Sequence, residues 1–275
     1  MNLSNKLTDS DIKDIVYNAN KKLDECLKRN DIIGSQVFKL LELNSRVLYY
    51  PLADDDIWGF IERIEGKFFA CINTSIPYEK QIFAAAHELY HIWFDGENAQ
   101  EVILSSNLES VDVGSIDLNE QKANRFAAEF LAETSLLEQE MSRYKISKTG
   151  ISTKEILLLC DVFTLPYKTI AKRMHEIGAI DIDRLSVLLV TPTVEIEKWK
   201  TILGIKTPIK QEYIQLDNLV EKSIELYNKG MITYDKLDYL LGLANLSPDR
   251  VGINQIEYKP ISDDEIAAIL EEDDV

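Results

Sequence analysis

The sequence predicts an α+β fold: a small antiparallel sheet beside one buried helix that carries a metal-site motif, followed by mainly helical segments. Three observations predict it. Short runs rich in β-branched and aromatic residues fall between 47 and 74, separated by turn residues. The run from Ile82 to Phe94, IFAAAHELYHIWF, is compatible with a helix and apolar on every side except for His87, Glu88, His91 and the Tyr90 hydroxyl. From Asp117 onward the apolar residues recur mostly at helical spacing.

In chain order, Thr8 to Asp11 starts a helix whose stripe is Ile12, Ile15, Val16, Leu23 and Leu27, and a second helix starts near Ser35 with Val37, Leu40, Leu41 and Leu43. Strands follow at Val47–Leu52, Ile57–Ile64 and Lys67–Thr74. The turns Asp54-Asp55-Asp56 and Glu65-Gly66 between them predict an antiparallel meander. The motif helix runs from about Glu79 to Phe94 and stops near Gly96. Glu97 to Ile116, polar apart from Val102-Ile103-Leu104, reads as a long loop and a candidate flap. Asp117 caps one helix through LNEQKANRFAAEFLAETSLLEQEM. Two short helices, Lys154–Val162 and Pro166–Ile177, are joined by Phe163-Thr164-Leu165. Beyond them Leu185–Val190 reads as a strand, and Gln211–Asn228 and Tyr234–Ala244 as helices. The end, SDDEIAAILEEDDV, is strongly acidic.

The 275 residues carry a net charge of −17. Non-specific nucleic-acid binding needs phosphate-neutralising Lys and Arg, so the balance argues against DNA as the main partner. No apolar run reaches the roughly 18 residues that a membrane helix needs, and the polar N-terminus has no signal-peptide core. Cys26, Cys71 and Cys160 are odd in number, far apart and in no metal-like spacing, which suits reduced thiols in the cytoplasm.

His87 and His91 stand in HExxH spacing, one helical turn apart, so both can reach one ion, and Glu88 is placed to act on an activated water. A catalytic zinc needs a third protein ligand and one open position. Asp95 lies two turns from His87, roughly 12 Å in rise, too far to share the ion. Glu97 has the spacing of one class of third ligand, but Phe94 stands where that class has a glycine. Glu120 opens a helix as ExxAN, with Asn124 one turn further along the same face, where its oxygen could accept the free ring N–H of His87. Glu120 also suits the third helical position of a capping box begun by Asp117, and spacing does not decide between the two roles. Tyr90, Tyr167 and His175 are candidate oxyanion donors, and His175 equally suits a helix C-terminus. Read as helix-turn-helix, Lys154 to Ile177 would present Lys168, Lys172 and Arg173, although Ile156, Leu157, Leu159, Val162, Ile170, Met174 and Ile177 also suit two helices packing into a core.

HELYH at 87–91, with INT at 72–74 and FAAA at 83–86 before it and EQKANRFAAEFL at 120–131 after it, resembles the ImmA/IrrE family of metallopeptidases over about residues 31–180. The resemblance implies a zincin-like catalytic domain, with His87, His91 and Glu120 as ligands of one Zn²⁺ per chain and Glu88 as the catalytic base. Two positions depart from it: Tyr90 replaces a common Gly, and Lys80 a common Arg. By likeness to gluzincin-like relatives the substrate would add as a strand along Phe68–Asn73. The organisation expected is a zincin-like metallopeptidase domain with N-terminal helices at 1–147, a helix-turn-helix-like segment at 148–180, a mainly helical region at 181–258 and an acidic tail at 259–275. The expected function is cleavage of a regulatory protein, a repressor or antitoxin-like DNA-binding partner, by metal-activated water in the cytoplasm. The alternative is a DNA-binding or protein-binding regulator that keeps the zincin scaffold without proteolysis.

Overall fold

The computed structural model describes residues 6–95, 103–106, 117–206, 213–216 and 218–254. The chain divides into two compact units, 1–217 and 218–275.

In the first unit, α1 (Asp9–Glu25) begins at a capping box in which Thr8 and Asp11 exchange side-chain and backbone hydrogen bonds. Caps of this kind contribute about 1 kcal/mol each. Ile15, Ala19 and Leu23, spaced by one turn, face the core. After α2 (Gln36–Asn44) the chain enters β1 (Arg46–Tyr50), β2 (Ile57–Ile64) and β3 (Lys67–Asn73). β2 and β3 form the expected antiparallel hairpin, turned by Glu65 and Gly66 with φ of 49° and 78°. β1, however, pairs with β3 and runs parallel to it, so the sheet is mixed and not a simple meander. The cause lies in residues 52–57, which carry the chain past β3 and are held there by buried Asn73. Its side chain accepts from Leu52 N (3.0 Å) and donates to the carbonyls of Asp54 (3.1 Å) and Ile57 (2.7 Å).

Two further strands complete the order β4-β2-β3-β1-β5: β4 (Ile103–Ser106), within the segment expected to be loop, and β5 (Gln215–Leu216), within an expected helix. β3 therefore has neighbours on both sides and offers no edge to an added strand, contrary to the expectation for Phe68–Asn73. Among the described residues the edges belong to β4 and β5. The rest of the expected flap, with Glu97, and the acidic tail at 259–275 lie outside the described residues.

The helix α3 (Tyr78–Tyr90) continues as a π turn, His91–Asp95. It packs on β2 and β3 on one side and on α2 and α4 (Leu118–Leu131) on the other. Small side chains at Ala84, Ala85, Ala86, Ala123 and Ala127, all buried, line these interfaces and permit close approach. The helix expected to run from 118 to 141 breaks at Ala132, and α5 (Thr134–Arg143) starts anew because Glu133 accepts from Leu136 N (2.9 Å) and caps it.

The pair α6 (Thr153–Phe163) and α7 (Tyr167–Glu176) forms as expected, with a Ser152–Glu155 capping box and Pro166 just before the second helix. Arg173 does not project toward solvent. It is fully buried, donates to Ala132 O (2.9 Å) and Thr134 Oγ1 (3.1 Å), and pairs with Glu129 (2.9 Å) and Glu176 (2.7 Å). Glu129 in turn accepts from Thr134 N (3.1 Å), so this buried pair satisfies both helix ends at the α4–α5 break. Removing one member of a buried pair costs about 3–5 kcal/mol. Residues 182–189, expected in part as a strand, form α8 (Ile182–Leu189): Asp181 caps it through Arg184 N, and Leu185 and Leu188, three apart, are its buried face. α9 (Thr193–Leu203) follows.

The second unit, by itself, is a helical hairpin of α10 (Leu219–Asn228) and α11 (Tyr234–Leu243) turned at Gly230, with a short 3₁₀ turn at Pro248–Val251. Its buried residues among those described are Ser223, Leu237, Leu241 and Pro248. No helix among the described residues is long and apolar enough to cross a membrane. The three cysteines are free thiols.

Candidate metal centre

α3 is fixed between sheet and helices on all sides, and this brings the motif side chains into the core: His87, Glu88 and His91 are each 0% exposed. The two imidazoles meet at their Nε2 atoms, 3.1 Å apart. Glu120, on the first turn of α4, points its carboxylate at both: Oε2 lies 3.1 Å from His87 Nε2 and Oε1 3.3 Å from His91 Nε2. The alternative role, a capping box with Asp117, is not taken. Asp117 accepts from Asn119 N (3.2 Å), while Glu120 faces the histidines.

One ligand atom from each of His87, His91 and Glu120 lies within 4.8 Å of the others. The donor set fits a zinc ion. Tetrahedral ligands at about 2.0–2.1 Å from the metal stand roughly 3.3 Å from one another, close to the separations between these atoms. The outward ring nitrogens are engaged elsewhere, which leaves both Nε2 atoms for the shared point. His87 Nδ1 lies 2.9 Å from Asn124 Oδ1, the partner expected from the ExxAN spacing, and His91 Nδ1 lies 2.5 Å from Asp95 Oδ2. Asp95 is thus outside the ligand cluster, as its distance from His87 requires, yet bonded to a member of it. The signal was present in the sequence as an i, i+4 spacing from His91.

The electrostatics of the cluster follow from this crowding. Burial works to lower the pKa of His91, but hydrogen bonds to Asp95 and Glu120 and the nearby Glu88 charge outweigh it and push it up to about 10. Burial likewise works to raise Glu120, and the hydrogen bonds and charges of the two histidines hold it at about 2 instead. Glu88 lies on the sheet side of the helix, against Gly59 of β2. A Cβ at Gly59 would stand 3.3 Å from Glu88 Oε1 and 2.9 Å from Cys71 O. Burial raises the Cys71 thiol to about 11, with the Glu88 charge adding. Gly59 is a feature that the motif reading missed; its signal was a glycine inside an otherwise regular strand.

Of the three expected oxyanion donors, Tyr167 and His175 have polar partners away from the cluster, while the Tyr90 ring stands edge-on to His91. Tyr90, 7% exposed, packs its ring against Phe94 and Phe126. Tyr167 OH lies 3.3 Å from Thr191 Oγ1, and His175 Nδ1 lies 3.1 Å from Ile180 O just beyond α7. Lys80 sits over the Trp58 ring at 4.4 Å.

Residues 41–175 match the peptidase family model described as the IrrE N-terminal-like domain, Peptidase_M78. No curated protein and no solved structure matches the chain. The matched interval opens in α2 and closes in α7, and it takes in β1 to β4, both histidines, Glu88 and Glu120. Over these residues the chain carries the IrrE N-terminal-like domain of the ImmA/IrrE metallopeptidases.

Proposed function

We propose that this protein is a zinc-dependent endopeptidase in which His87, His91 and Glu120 hold one Zn²⁺ and Glu88 is the general base. The observation that carries the reading is the convergence of two imidazole Nε2 atoms and a carboxylate on one buried point, with a further buried carboxylate, Glu88, beside them. Zn²⁺ bound there supplies Lewis acidity, polarising water and a peptide carbonyl. Glu88 takes a proton from the attacking water as its oxygen adds to the carbonyl carbon. It then delivers that proton to the amine nitrogen as the C–N bond breaks. Asn124 and Asp95 hold the imidazoles so that neither Nε2 turns away.

The substrate lies extended along the outer edge of β4. The inner side of β4 pairs with β2, the strand whose Gly59 passes over Glu88, so this edge is the one nearest the base. The target is a DNA-binding regulator, a repressor or antitoxin-like protein, cleaved in the cytoplasm. A chain of net charge −17, with acidic residues clustered from Asp263 to Asp274, attracts such a basic partner and speeds its encounter. Buried Arg173 weighs against the alternative of direct DNA reading, because it withdraws one of the three basic side chains on which that reading rests.

The test is Glu88→Gln, assayed on a co-encoded repressor-type protein with zinc content measured in parallel. Zinc should remain at one per chain, while cleavage falls by roughly 100-fold or more. Loss of zinc in this variant would make Glu88 a ligand and overturn the assignment of roles.

A further inference from the structure

The orienting contacts at the two histidines share one source. Asn124, on α4, bonds to His87 directly. At His91 the contact has two links: Asp95 Oδ2 lies 2.5 Å from His91 Nδ1, and the same oxygen accepts Asn119 Nδ2–H at 2.7 Å. Asn119 immediately precedes Glu120 on the first turn of α4, and its own backbone N–H is held by Asp117. The side chain of Asp95 is 13% exposed and closes the π turn that begins at His91. π turns inside α-helices occur frequently at functional sites.

We propose that Asp95 is a positioning residue for the metal centre and that Asn119 acts through it. The inference rests on the zinc-site reading above. With Nδ1–H donated to Asp95, the His91 ring is held as the tautomer whose Nε2 is free, and its plane is fixed toward His87 and Glu120. Asn119 removes the remaining freedom of the carboxylate, since one oxygen is now tied from both sides. The consequence reaches beyond one ring. α4 supplies the carboxylate ligand at 120, a direct clasp on His87 from 124 and an indirect clasp on His91 from 119. A single helix thereby sets the orientation of all three ligands, and the two ligand-bearing helices cannot slide past each other without loosening both histidines. Asp95 achieves this without approaching the metal.

The experiment measures Zn²⁺ affinity by chelator competition and the visible absorption of the Co²⁺-loaded protein for Asp95→Ala, Asp95→Asn, Asn119→Ala and the double alanine variant, with His91→Ala as reference. Asp95→Ala should weaken Zn²⁺ roughly 10- to 100-fold and alter the Co²⁺ bands, whereas Asp95→Asn, which keeps an acceptor oxygen, should recover part of the loss. Asn119→Ala should cost less, and the double variant should bind no worse than Asp95→Ala, because the two residues act in series. Additive losses would overturn the series arrangement. Wild-type affinity and spectrum in Asp95→Ala, or a full loss in Asp95→Asn, would overturn the positioning role. If Asp95→Ala does not fold, Asp95→Asn and Asn119→Ala decide by the same two readouts. If His91→Ala keeps wild-type affinity, the metal-centre reading itself fails, which separates that failure from the failure of this inference.

Discussion

A methyl group at position 59 has nowhere to go: it would meet the Cys71 carbonyl at 2.9 Å and the Glu88 carboxylate at 3.3 Å. Movement of the Glu88 carboxylate relieves only the longer contact; the closer one is with backbone, so β2 shifts against β3 and the surface on which Glu88 rests shifts with it. Gly59→Ala should therefore keep zinc at one per chain and lower cleavage by roughly 100-fold, the scale of a displacement of about 1 Å at a reacting group. An unchanged rate would show that Glu88 tolerates the shift. Residues of this kind mark the limit of what could be read beforehand. His87 with His91, and Glu120 with Asn124, were legible as pairs because one-turn spacing along a helix is a local property of the sequence, but spacing left Glu120 between ligand and cap, and the family resemblance supplied its role. Gly59 and Asn119 were not legible, since their significance depends on a strand and a helix arriving from elsewhere in the chain. For Asp95, spacing from His87 bears only on a ligand role, whereas its contact is with the far nitrogen of His91.

Among the elements, those defined by their own caps and turns were legible: α1, α6, α7 and the β2–β3 hairpin stand close to where the sequence puts them. The misreadings share a cause. The apolar run at 185–190 is too short for periodicity to separate strand from helix, and the cap at Asp181 settles it. β5 is two residues long and exists because β1 offers an edge; nothing within Gln215-Leu216 announces it. Its anchor is Tyr213, whose carbonyl accepts from Thr74 Oγ1 (2.9 Å) and whose ring lies 5.7 Å from that of Tyr49. Burial pushes the Tyr213 phenol up to about 12, with Tyr78 and Glu42 adding to the effect. A raised phenol favours the neutral folded form, so its contribution is complete below about pH 10, the ordinary tyrosine value, and is lost as pH rises toward 12. Tyrosinate absorbance followed in an alkaline titration should show a late-ionising component that Tyr213→Phe removes, and Tyr213→Phe should lessen the loss of stability across this window. A titration identical in the two proteins would mean that Tyr213 is not held as described.

At the scale of the whole molecule, the family segment and the folding unit do not coincide. The matched interval is 41–175, yet the first compact unit runs to 217 and draws on both sides of that interval. α1 packs on α4 from the N-terminal side, and Tyr213 and β5 cover β1 from the C-terminal side. Residues 1–217 should accordingly fold, bind zinc and show the same oligomeric state at all concentrations without residues 218–275, as measured by zinc content and light scattering. A fragment cut to 41–175 loses the strand that occupies the outer edge of β1 and the helix that shields α4. The row of backbone donors and acceptors along Arg46–Tyr50 is then bare, next to newly uncovered apolar side chains, which is a template for another copy of the same strand. Such a fragment should self-associate as its concentration rises, whereas 1–217 should not. Two residues of strand, Gln215 and Leu216, thus act as an insulating end-piece. Their value to the protein is measured less in stability than in the sticking they prevent.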